Sequence, residues 1–175
     1  MIDNGTESDW IKFAELPVTS GKIAVSDPVF CNDLPPCPRF DMKADVYPVY
    51  VKVVSWLDDQ RVSRLRVSRK EESVLGRVLD DVGVDFAQVG VFDPELIETA
   101  CKTLSKEQGD AILEAYNNVK FHGVARFDDS SQAVMPFATS GFGDGHYPIF
   151  ELTHNGERVG LEVVFIGPEV EYETV

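Results

Sequence analysis

The sequence predicts a mainly β domain of the α+β class, a β-sandwich or curved antiparallel sheet with one or two helices inserted around residues 94–119. Segments of alternating apolar and polar residues recur along the chain, and an Asn155-Gly156 pair sits between two of them. Helix-start signals gather at Asp93 and Ser105. With 175 residues, 43% of them hydrophobic, the chain is long enough for one domain with a real core, expected to span residues 1–175.

Residues 1–20 read as an irregular lead-in with a short helical turn around Trp10 to Leu16. Gly21 to Val25 reads as a short strand, stopped by the turn-initiating pair Asp27-Pro28. Residues 31–45 hold prolines 35, 36 and 38 and read as a loop whose Phe40 and Met42 pack back onto the body. From Val46 to Leu57 the alternation is long. Tyr47, Val49, Val51 and Val53 share one face, and Tyr50, Lys52, Val54 and Trp56 the other. Asp58-Asp59 turns this strand into a second, Arg61 to Arg69, making a hairpin. Residues 74–82 are ambiguous, because Val74, Leu75, Val78, Leu79 and Val82 have helical spacing. Val84 to Phe92 is β-like again.

Asp93 is a good N-cap, Pro94 suits the first helical position, and Glu95 suits the positive end of the helix dipole. Leu96, Ile97, Ala100, Cys101 and Leu104 then fall on one face. Ser105 and Gln108 have capping-box spacing for a second helix, striped by Ala111, Ile112, Ala115, Tyr116 and Val119. Asn155-Gly156 sets a two-residue turn that pairs His154 with Glu157, Leu152 with Val159, Phe150 with Leu161 and Pro148 with Val163. The acidic end, residues 168–175, reads as frayed.

Charge narrows the function. Thirty acids against sixteen bases give a net −14, which repels nucleic-acid backbones and anionic membranes and favours a basic protein partner. The first twenty residues lack a basic-then-apolar leader, and no apolar run approaches the roughly 18–20 residues that span a bilayer. Cys31, Cys37 and Cys101 form no Cys-x-x-Cys pair, so reduced thiols and a cytoplasmic location are expected.

Gly141 to Pro148 is the most suggestive segment for chemistry. Its glycines let the backbone approach a ligand, and Asp144 with His146 could bind a metal or move a proton. A strand rather than a helix follows, which excludes a phosphate loop or dinucleotide fingerprint. The structural alternative, which is preferred, is a glycine-rich turn entering the hairpin strand in which Asp144 hydrogen-bonds its own backbone. Asp85 and Asp93 bracket a strand and are candidates to join Asp144 in a carboxylate cluster. Arg64 and Arg66 suit either a bidentate anion or cross-strand pairing with the abundant acids, the second being preferred. No nucleophile–base signature pairs a cysteine with His122, His146 or His154. No catalytic residue, metal or cofactor is therefore assigned. Trp56, Tyr50 and Phe142 are the candidate anchors for a protein partner, being large groups on a mixed strand face or in the glycine-rich loop.

Three stretches, Gly21 to Pro28, Gly83 to Asp93 and Gly143 to Phe150, together resemble a bacterial family, domain of unknown function 4241. That family usually carries a second glycine soon after the Val-Asp pair, where this chain has Phe86-Ala87. The resemblance brings no catalytic residues. It implies a small acidic protein of the kind that partners other proteins, toxins among them. The expected function is thus non-enzymatic protein binding; the alternative is a small-ligand or metal-binding module built on Asp85, Asp144 and His146.

Overall fold

Two antiparallel sheets and a pair of helices stack in three layers, and the burial of each strand reports its layer. A computed structural model describes residues 5–31 and 36–170. Strand covers 52% and helix 12% of these, as the α+β expectation requires. In chain order the strands are β1 (Thr6–Glu7), β2 (Ile11–Val18), β3 (Lys22–Ser26), β4 (Arg39–Asp41), β5 (Asp45–Ser55), β6 (Gln60–Ser68), β7 (Val74–Val84) and β8 (Gln88–Phe92). Helices α1 (Pro94–Cys101) and α2 (Lys106–Asn117) follow, then β9 (His122–Arg126), β10 (Val134–Thr139), β11 (Gly145–His154) and β12 (Glu157–Val164).

The larger sheet runs β1-β5-β6-β12-β11-β7, with β2 also paired to β5; the smaller runs β4-β3-β8-β10-β9. Between them lies the main core, including Tyr47, Val49, Val51, Leu65, Ile149, Leu161 and Val163 from the larger sheet and Ile23, Val25, Val89, Val91 and Val134 from the smaller. The smaller sheet's other face carries Ala24, Phe92, Met135 and Phe137, which pack on Ile97, Ala100, Ile112 and Tyr116 of the helices. The central strands of the smaller sheet, β3, β8 and β10, are therefore buried on both sides, while β5 alternates between buried and half-exposed residues.

The helix boundaries follow their caps. Asp93 accepts from the Glu95 and Leu96 N–H groups ahead of Pro94, and Ser105 and Gln108 close a complete capping box.

Several expectations need correction. The helical turn over Trp10 to Leu16 is strand β2, in which Leu16 and Val18 are buried at period two and Pro17 is tolerated because only one side is paired. The ambiguous 74–82 is strand β7, whose pairing along β11 overrides the helical spacing; Val74 and Val78 are exposed rather than on a core face. The proline-rich loop contains β4, paired to β3, and its middle lies outside the described residues, as does most of the expected frayed tail.

In the β11–β12 hairpin, His154 faces Glu157 as expected and Thr153 faces Arg158, but a bulge then shifts the register. Leu152 faces Gly160, Phe150 faces Glu162 and Ile149 faces Val163. Phe150 and Leu161 are both buried without being partners. Gly160 fits the shift because a Cβ there would collide with the Val67 carbonyl.

Cys31 and Cys101 are joined in a disulfide, so reduced thiols hold only for Cys37, which is half-buried. The helix face that carries Cys101 brings it to a loop 70 residues away, a juxtaposition no local spacing announces.

Candidate functional site

Three connections converge at one end of the sandwich: the β5–β6 turn, the β7–β8 turn and the β10–β11 loop. Each is held by its own residues. Asp27, just past β3, accepts the Asp85 N–H at 3.0 Å and the Phe86 N–H at 3.4 Å. Asp144 accepts the Ala87 N–H at 2.9 Å, and the Ser140 N–H returns to the Ala87 carbonyl at 3.0 Å. Ala87 thereby holds a left-handed φ of 53°, a conformation glycine adopts without cost. The Tyr147 hydroxyl donates to the Gly143 carbonyl at 2.6 Å and fixes the other loop, where Gly143 itself has φ 116°.

This scaffold projects apolar groups into solvent. Phe86 is 63% exposed and meets Phe30 edge-on at 6.0 Å. Phe142 is 56% exposed and lies 5.9 Å from the half-buried Trp56. The Arg61 guanidinium sits 5.0 Å from the Phe142 ring while donating to the Gly141 carbonyl at 3.0 Å and to Asp59 at 2.7 Å. Leu57, at the hairpin tip, is 98% exposed, with Asp58 and Asp59 beside it. The acids there feel one another. Burial pushes the Asp27 carboxyl above its ordinary range, and the charges of Asp85 and Asp144 push it the same way, against the two N–H donors.

Asp85, Asp144, Trp56 and Phe142 thus meet at one end, as their sequence positions could not show. Asp93 is not among them: its carboxylate caps α1 and also accepts the Thr19 and Ser20 N–H groups at 2.8 Å each, and Asp27 is the third acid of the group instead. His146 borders the group on β11, its ring 3.7 Å from the exposed Asp81. Tyr50 is elsewhere. It stands on the outer face of the larger sheet and lines a 260 Å³ cleft with Trp10, Arg66, Lys70 and Glu71.

Sequence reading missed Asp27, Leu57 and Phe86 as site residues. The signal available for Phe86 was a lone aromatic in a polar turn; for Asp27 it was the Asp-Pro pair, read only as a strand stop.

Chemically the site offers rings framed by carboxylates. The near oxygens of Asp27 and Asp144 are already engaged by backbone N–H groups. Among the described residues, no group of three or more His, Cys, Asp or Glu could hold a metal ion. The cavities of 570, 430 and 260 Å³ are lined by other residues, and that of 500 Å³ touches the site through Phe30. Exposed aromatics with an acidic rim suit contact with an apolar, cationic surface.

Arg64 and Arg66 pair across strands with the buried Glu162 at 2.9 and 2.6 Å. Arg64 also reaches Glu169 at 2.9 Å, and Arg66 lies 4.2 Å over the Trp10 ring. Both guanidinia are engaged within the protein, and the cross-strand reading holds.

Among the described residues no helix is long and apolar enough to cross a membrane. No family model, curated protein or solved structure matches the chain.

Proposed function

We propose that this is a non-enzymatic cytoplasmic protein that binds another protein through a basic, partly apolar face. One observation carries the reading: exposed Leu57, Phe86 and Phe142, with Asp58, Asp85 and Asp144, lie in three connections that are tied together by the Ala87 bonds to Asp144 and Ser140, the Arg61 bond to Gly141 and the Trp56–Phe142 ring contact. Apolar groups anchor an interface by excluding water, and the acids around them favour a basic partner and disfavour acidic ones. The net charge of −14 extends that bias over the whole surface. Membership of the domain of unknown function 4241 family is proposed with it. The three stretches that carry the resemblance supply Asp27, the Asp85–Ala87 turn and Asp144, which bond to one another at this end.

The alternative, a ligand or metal module on the Gly143 to His146 loop, has less support. Asp144 is engaged with Ala87, and His146 is turned to Asp81. A capture experiment from source-cell lysate separates the readings, with wild type and the Leu57→Ser/Phe86→Ser/Phe142→Ser variant as baits. A basic protein retained by wild type at low salt and lost by the folded variant is the expected result. Equal recovery by both baits would move the interface elsewhere, and binding of Ca²⁺, Mg²⁺ or Zn²⁺ abolished by Asp144→Ala would favour the alternative.

A further inference from the structure

We infer that the Cys31–Cys101 disulfide is a redox clasp that holds Phe30 in the docking surface, so that a dithiol reductant weakens partner binding without unfolding the sandwich. The inference rests on the protein-binding reading above.

Three consecutive residues are pinned at this point. The Tyr116 hydroxyl donates to the Val29 carbonyl at 2.9 Å. The Phe30 ring packs edge-on against Tyr116 at 5.5 Å and against the exposed Phe86 at 6.0 Å. Cys31 is bonded to Cys101, the last residue of α1. Only the last of these ties is covalent, and it tethers a loop to a helix across 70 residues of sequence. Without it, the segment keeps the Phe30 ring cluster and backbone bridge, and the Val29 hydrogen bond and buried side chain, but no covalent tie. The aromatic support under Phe86 weakens with it.

The bond is also reachable. Cys31 and Cys101 are half-buried and line a 500 Å³ groove with Phe30, Leu104 and Leu113. In a cytoplasm such disulfides are usually transient and redox-sensing. A dithiol reductant attacks one sulfur as thiolate, forms a mixed disulfide, and closes on itself to release the protein. Two electrons and two protons pass to Cys31 and Cys101, which leave as thiols, and the reductant ends as a disulfide. The core between the sheets includes neither cysteine; both pack against the core between the smaller sheet and the helices, so the change stays with residues 29–31, the β7–β8 turn, the end of α1 and the start of α2.

Hydrogen exchange on the whole protein, oxidised and in dithiothreitol, tests the clasp. Peptides over residues 29–31, 85–87 and 102–113 should exchange about tenfold faster after reduction, with β5, β6 and β12 unchanged. Cys31→Ser/Cys101→Ser should match the reduced protein and ignore reductant, and Cys37→Ser should behave as the parent. Unchanged exchange would overturn the clasp, and so would acceleration spread through β5, β6 and β12, which would make the bond a global staple. Capture of the basic partner by oxidised and reduced baits tests the gating; about tenfold less capture after reduction is expected, and equal capture overturns it. Failure of both baits to capture any protein sinks the binding reading and the gating with it, while the exchange data still decide the clasp.

Discussion

Asp93 shows how much one carboxylate can hold. It is 1% exposed, caps α1 with one oxygen, and receives the Thr19 and Ser20 N–H groups with the other. Asp93→Ala removes the cap and orphans two backbone donors, so a loss of about 3 kcal/mol is expected in urea unfolding. Burial by itself would raise this carboxyl, but the donors outweigh it and hold its pKa below the ordinary 3.8. A depressed folded pKa gives stability that is present above 3.8 and lost as pH falls through the folded value. Acidifying the parent should therefore lower its stability over that window more than it lowers the variant's. Ala87 makes the opposite kind of prediction. Its φ of 53° costs an L-residue about 1–2 kcal/mol, offset in part by the greater unfolded freedom of glycine. Ala87→Gly should raise the urea midpoint slightly, and a lowered midpoint would refute strain at this turn. Glu162 holds both Arg64 and Arg66 at 2% side-chain exposure. Glu162→Ala should cost about 3 kcal/mol, because it leaves the partly buried Arg66 guanidinium without its carboxylate while Arg64 keeps Glu169.

The β11–β12 hairpin sets the limit of what its turn dictates. Asn155 and Gly156 have φ of 51° and 79°, and open space surrounds a Cβ at Gly156. Gly156→Val should therefore act through backbone strain alone, at about 1–2 kcal/mol, and a melting temperature equal to the parent's would contradict that. The turn dictates only the first two pairs; the bulge beyond Thr153 is set by Gly160 approaching the Val67 carbonyl on a third strand. The same division runs through the other elements. Both helices were legible because a cap is a local pattern: Asp93-Pro94 and Ser105 with Gln108 carry their partners within three residues. The β5–β6 hairpin was legible because its alternation and its Asp58-Asp59 turn agree. β2 and β7 were not. They lie at sheet edges, where burial is one-sided and partial, and their identity comes from pairing with β5 and β11. The site was legible in its parts, Asp85, Trp56, Phe142 and Asp144. It was not legible as a place, because Asp27 and the Asp85–Ala87 turn meet only through bonds spanning 58 and 59 residues.

At the scale of the molecule, a three-layer fold buries the central strands of the smaller sheet on both faces and leaves one end of the sandwich for recognition. Native charge then governs how a partner arrives. Carboxylates on an exposed end of a −14 protein act at a distance, and screening shortens their reach from about 10 Å at 0.1 M salt to about 3 Å at 1 M. The ring groups act only on contact. Association with the basic partner should therefore slow by about tenfold or more as salt rises over that range, while dissociation changes little. Phe86→Ser and Phe142→Ser should do the reverse, speeding dissociation and leaving the salt slope of association intact. Stopped-flow measurements on the captured partner read both rates. A salt effect confined to dissociation would mean that the charge is part of the contact rather than a guide to it, and the aromatic end would then lose its place as the anchor.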